Sequence, residues 1–137
     1  EIRADLFYGI MEQLKENHDI KHIFIEQPFM AFSGGKTTAV TMAKLQRFNG
    51  MCCYCIRLLF GFPATLIQAN KARGLVGLKI KRGEKTKLKV IEWVEAKYPK
   101  DFIVEHTRHG NPKPGTDDKA DAIVIANAGL KLNQQNT

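Results

Sequence analysis

Apolar segments of helical period alternate here with short runs of Ile, Phe, Thr and Leu, which predicts an α/β fold with a sheet flanked by helices. Three observations carry this. The run His22 to Gln27 is short, rich in Ile and Phe, and is followed by Pro28. A second short run, Thr65 to Ala69, follows Gly61-Phe62-Pro63. Between them lies a long, mostly apolar stretch of helical length, and two strands joined by one helix make a right-handed crossover unit with parallel strands.

Each element has a local reason. Ile2, Leu6, Ile10 and Leu14 recur every four residues, with Phe7 and Met11 widening the stripe, so residues 1 to about 17 form an amphipathic helix. Pro28 removes a backbone donor, so the first strand ends at Glu26 or Gln27. Gly34-Gly35 marks a turn, and Thr37 to about Phe60 is a helix with an interruption expected at Asn49-Gly50. Its apolar character nearly all round implies burial on two sides. Gly83-Glu84 precedes a helix from about Lys85 to Lys97 with Leu88, Ile91 and Val94 on one face, stopped by Pro99. His106 to Gly115, with Pro112 and Pro114, is a loop. Thr116 is the expected N-cap of a last helix, Asp117 to Leu132, leaving a polar tail, 133–137.

Length and charge bound the function. A chain of 137 residues suits one domain, taken as residues 1–132. The net charge of +7 favours a polyanionic partner, because Lys and Arg neutralise phosphates and release counterions. No apolar stretch reaches the length of a membrane span and no secretory signal is visible, so a cytoplasmic protein is expected, in a bacterial or viral context. Cys52, Cys53 and Cys55 are odd in number and crowded together, which argues against a disulfide framework and fits a reducing compartment. Two readings of them stay open: small side chains in a buried helix, or zinc ligands completed by His106 and His109.

Two acidic stations point to chemistry. Glu26 closes an apolar strand, and ligands of open parallel sheets sit beyond the carboxyl ends of strands. Asp118 and Asp121 open the apolar run that follows them and, at i and i+3, share a helix face. If that helix docks beside the Glu26 strand, three carboxylates meet in an oxygen-rich site suited to Mg²⁺ or Mn²⁺. Such ions activate water and stabilise the leaving oxygen in phosphodiester cleavage. Capping of the helix by Asp117 and Asp118 is the plainer alternative.

The residues also carry a family resemblance. Ile25-Glu26-Gln27-Pro28-Phe29-Met30-Ala31 resembles the Ile-Glu-Gln-x-Phe signature of RuvC-like Holliday junction resolvases, of the RNase H-like superfamily. Asp118-Lys119-Ala120-Asp121-Ala122 is similar to that family's C-terminal Asp-x-x-Asp-Ala motif, and Gly83-Glu84-Lys85-Thr86 matches the position of its Glu-Lys-Ser-like element. The resemblance implies an RNase H-like (RuvC-type) sheet flanked by helices, and a homodimeric endonuclease of four-way or branched DNA. It further implies metal binding by Glu26, Asp118 and Asp121, phosphate contact by Lys85, and stacking of Phe29 on junction bases. The basic run Lys79, Lys81, Arg82, Lys85, Lys87 and Lys89, extended by Lys71 and Arg73, either follows the DNA backbone or is a solvated face. The dimer interface is expected on the helix 37–60. In the family, a three-stranded meander precedes the first helix and supplies a further Asp; the expectation is that this chain lacks it.

Two other functions compete. Ser33-Gly34-Gly35-Lys36-Thr37-Thr38 sits between a strand and a helix, as a P-loop does, although Met30 stands where its first Gly belongs. A non-catalytic relative that binds branched DNA through the basic face is the other.

Overall fold

The computed structural model describes residues 2–28 and 38–137. Among these it holds helices α1 (Ile2–Asn17), α2 (Ala39–Phe60), α3 (Ala69–Leu75), α4 (Thr86–Lys97) and α5 (Thr116–Gln135), and strands β1 (Phe24–Glu26) and β2 (Thr65–Ile67). The chain divides into two compact units, Glu1–Leu66 and Ile67–Thr137.

In the first unit α1 packs on α2. The buried residues of α2 are Cys52, Ile56 and Leu59, spaced to one face. On α1 the half-buried residues are Ala4, Phe7 and Met11, whereas Leu6, Ile10 and Leu14 are exposed. The helix read from the sequence is present, but Leu6, Ile10 and Leu14 of its expected apolar stripe are exposed, and the flanking Phe7 and Met11 are half-buried. Thr38 caps α2 by accepting the Thr41 amide at 3.2 Å, and Gly61 ends it in a left-handed conformation at φ 75°. The helix runs unbroken through Asn49-Gly50, because one interior Gly costs only about 1 kcal/mol against twenty-two residues of helix. Burial on two sides is not observed for α2: Val40, Leu45, Phe48, Tyr54 and Leu58 are exposed.

The expected RNase H-like (RuvC-type) sheet flanked by helices is not what the described residues form. Helices account for 60% of the structure, and the sheet is two short parallel strands, with the Thr65 amide donating to the Ile23 carbonyl at 2.9 Å. The cause lies in how little of each run finds a ladder. β1 and β2 are three residues each. The β2 run does not extend to Ala69, because Gln68 turns the chain into α3, accepting the Ala72 amide at 2.9 Å. Apolar residues 102–104 pair with no strand among the described residues, and Ile103 is 76% exposed.

In the second unit α3 and α4 both pack on α5. Ala72 of α3 and Val90, Ile91 and Val94 of α4 are buried, as are Ala120, Val124, Ile125 and Ala128 of α5. The small residues on α5 let its neighbours approach closely. The Tyr98 hydroxyl donates to Asn127 Oδ1 at 3.0 Å, and Asn127 Nδ2 donates to the Ile123 carbonyl at 2.8 Å, pinning the end of α4 to α5. The segment read as a loop, 106–115, is a tight reversal: His106 bridges Pro112, the Thr107 amide donates to the Asn111 carbonyl at 2.7 Å, and Lys113 pairs with Glu105 at 2.6 Å. No helix among the described residues is long and apolar enough to cross a membrane.

Candidate functional site

The acidic station of the second unit is set by the entry into α5. Gly115, at φ 88°, takes the N-cap position in a left-handed conformation that a side chain resists. Thr116 is therefore the first helical residue rather than the cap, and its hydroxyl donates to the Lys113 carbonyl at 2.7 Å. Asp117 and Asp118 fall in the first turn, where the helix dipole favours negative charge, and Asp121 follows one turn on. Asp118 is exposed and Asp121 half-buried. Burial pushes the Asp121 carboxyl above the usual aspartate range, and the nearby Asp117 and Asp118 charges add to this; Arg73, from α3, offsets part of it.

The lysine beside these acids is not the one the sequence motif singles out. Lys85 takes the N-cap position of α4, exposed and making no side-chain capping bond. Lys87, two residues into the same segment, puts Nζ 2.8 Å from Asp117 Oδ2. That bond raises the Lys87 ammonium and lowers the Asp117 carboxyl, and Asp118 and Asp121 also raise Lys87. Lys89 is taken by Glu92 at 3.0 Å and Glu84 at 3.8 Å. Glu84 also closes a turn at Gly83, its Oε2 accepting the Lys81 amide at 2.7 Å, so the Glu of the Glu-Lys-Thr element has a structural task. Lys79, Lys81 and Arg82 are exposed, and the Arg73 guanidinium bonds the Asn70 side chain.

Glu26 belongs to the first unit. Its side chain is exposed, and its carbonyl accepts Asn49 Nδ2 from α2 at 3.3 Å, which ties the end of β1 to that helix. Phe29 and residues 33–37 of the glycine-rich segment lie outside the described residues. All three cysteines are free thiols; Cys52 is buried, which pushes its thiol up, while Cys53 and Cys55 are half-buried. Among the described residues no group of three or more His, Cys, Asp or Glu is placed to hold a metal ion. Asp118 and Asp121, at i and i+3 of α5, put two carboxylates on one helix face. Two hard oxygen ligands suit Mg²⁺, which keeps several waters and commonly completes its shell with substrate phosphate oxygens.

No family model, curated protein or solved structure matches this chain. Its functional reading therefore rests on its own residues.

The residues that sequence reasoning left out of the site are Asp117 and Lys87. Both were visible, one as a helix-capping acid and the other as one of six cations in a run. What singles them out is a contact across 30 positions of chain, which no local spacing announces.

Proposed function

We propose that this protein is a Mg²⁺-dependent endodeoxyribonuclease that acts on four-way or branched DNA. The observation that carries the reading is the Asp118–Asp121 pair at the start of α5, with Lys87 of α4 bonded to the adjoining Asp117 and the charge of Arg73 of α3 partly offsetting the raised Asp121 carboxyl. Carboxylates flanked by cations suit a phosphodiester, since the acids hold a metal and the cations take the phosphate charge. The motif resemblance around Glu26 and Asp118 supplies the substrate class, and the net charge of +7 agrees with a polyanion.

In this reading Asp118 and Asp121 hold the ion, and the motif resemblance is what gives Glu26 a metal-binding role. Bound Mg²⁺ supplies an activated water and charge for the leaving oxygen, with a 5′-phosphate as product. Lys79, Lys81, Arg82 and Lys85 track the DNA backbone without reading its sequence. Two strands of a junction are cut symmetrically, which a homodimer matches.

The test is cleavage of a synthetic four-way junction with Mg²⁺, against a linear duplex. Paired nicks that disappear in Asp118→Asn and in Glu26→Gln are expected. Junction binding without cutting would replace this reading with the non-catalytic DNA-binding relative, and tight nucleoside-triphosphate binding with neither would favour the P-loop alternative.

A further inference from the structure

We propose that residues 77–85, between α3 and α4, are a preformed loop that binds the phosphate backbone of duplex DNA without metal, with Glu84 as the positioning residue that holds it. The DNA partner rests on the reading above, but binding by the loop needs none of the carboxylates of α5. Charge gives the first reason. Residues 71–89 hold eight of the 21 Lys and Arg side chains and one acid, Glu84, so their surplus equals the whole net charge of +7 and the rest of the chain is neutral in sum.

Burial and hydrogen bonds give the loop its shape. Leu78 and Ile80 are half-buried whereas Lys79 and Lys81 are exposed, so alternate side chains face the protein and the solvent. The Leu78 amide donates to the Arg73 carbonyl at 2.9 Å, tying the loop to α3. At the far end the Glu84 amide donates to the Lys81 carbonyl at 3.1 Å and Glu84 Oε2 accepts the Lys81 amide at 2.7 Å, closing the turn from both sides. Glu84 Oε1 faces Lys89 Nζ at 3.8 Å. The one acid of the stretch is thus engaged elsewhere, and no ion pair among the described residues takes Lys79, Lys81, Arg82 or Lys85. Unpaired like charges in a held loop repel one another, and a polyanion relieves that repulsion while releasing its own counterions.

Composition selects the partner. No aromatic residue occurs from Pro63 to Glu92, so the loop offers no ring for stacking unpaired bases, which is how single strands are gripped. No large hydrophobic side chain between Leu66 and Leu88 is exposed among the described residues, so nothing there enters a lipid surface. A duplex, with one charge per about 1.7 Å of its axis, is the partner such a loop fits.

The experiment measures binding of a linear DNA duplex in EDTA by fluorescence anisotropy across a salt series. It compares the native chain with Lys79→Ala/Lys81→Ala, with Lys100→Ala/Lys131→Ala as exposed lysines outside the stretch, and with Glu84→Gln and Glu84→Ala. The loop pair is expected to flatten the slope of log K against log salt by about 1.8, two phosphate contacts at about 0.9 each, and the control pair to leave it unchanged. The two Glu84 variants carry the same charge, but only Gln keeps an acceptor for the Lys81 amide. Glu84→Ala should therefore bind about fivefold more weakly than Glu84→Gln, the cost of ordering about one more side chain on binding. Equal slopes for the two lysine pairs, or equal affinities for the two Glu84 variants, overturn the proposal. So does a preference for single-stranded DNA, or loop-dependent binding to anionic phospholipid vesicles in place of the duplex. Cutting of the four-way junction in Mg²⁺ is scored apart. A chain that binds through the loop and never cuts keeps this proposal and loses the nuclease reading; one that cuts while the loop pair leaves the slope unchanged does the reverse.

Discussion

Asp121 carries opposing demands in a single side chain. Its carboxyl sits half-buried beside two other acids, and burial raises it above the ordinary aspartate range. The native state therefore binds a proton more readily than the unfolded chain does. As pH falls through the folded value of Asp121 the native state gains stability relative to the unfolded one, and as pH rises through it that advantage is lost. Asp121→Asn, which removes the charge but keeps the shape, is expected to raise Tm at neutral pH. The gain over the native chain should shrink as pH drops below the ordinary aspartate value, while Mg²⁺-dependent cutting is lost throughout. Thermal melts of both proteins across a pH series check the sign: a variant less stable than native at pH 7 would show that the ionised carboxylate is favourably paired. A residue that destabilises the fold where it ionises is the kind retained for function.

At the scale of elements, Gly115 sets where α5 begins and so where Asp118 and Asp121 stand. An added Cβ meets nothing within 4 Å, so the cost of substitution is that of φ 88° alone. Gly115→Ala should lose about 1–2 kcal/mol, seen as a Tm lower by several degrees, and Gly115→Asn distinctly less, because Asn tolerates the left-handed region. Equal Tm values for all three would mean that α5 starts without this conformation. Helices α1, α2, α4 and α5 were legible because apolar spacing, a cap or a proline marked them. Helix α3 was not: Ala69-Asn-Lys-Ala-Arg-Gly-Leu75 has only Ala72 fully buried and Gly74 inside it, so it carries no periodic signal. Thr116 looked like an N-cap because its residue type suits one, yet the neighbouring glycine took the position.

For the whole molecule, the unmet expectation of burial around α2 has a consequence. Leu45 and Phe48, three residues apart and so neighbours on the helix surface, are 52% and 43% exposed, and Val40 and Leu58 are also exposed. An apolar face of this kind supports the proposed homodimer through α2. Sedimentation equilibrium of the native chain should then give a dimer, and Leu45→Glu with Phe48→Glu a folded monomer; a monomeric native chain at tens of micromolar would remove the dimer from the reading. Residues of the chain decided, by themselves, the helical segments with apolar period or a clear stop, the end of β1 before Pro28, and the positive charge. These follow from local backbone and solvation preferences that each segment carries wherever it sits. Tertiary structure alone decided that the strands stop at three residues, that α2 leaves apolar side chains in solvent, and that Lys87 rather than Lys85 meets the acids of α5. Each of these depends on which segments come to lie side by side, since a ladder, a buried face and an ion pair are properties of two partners, and neither partner's sequence contains the other.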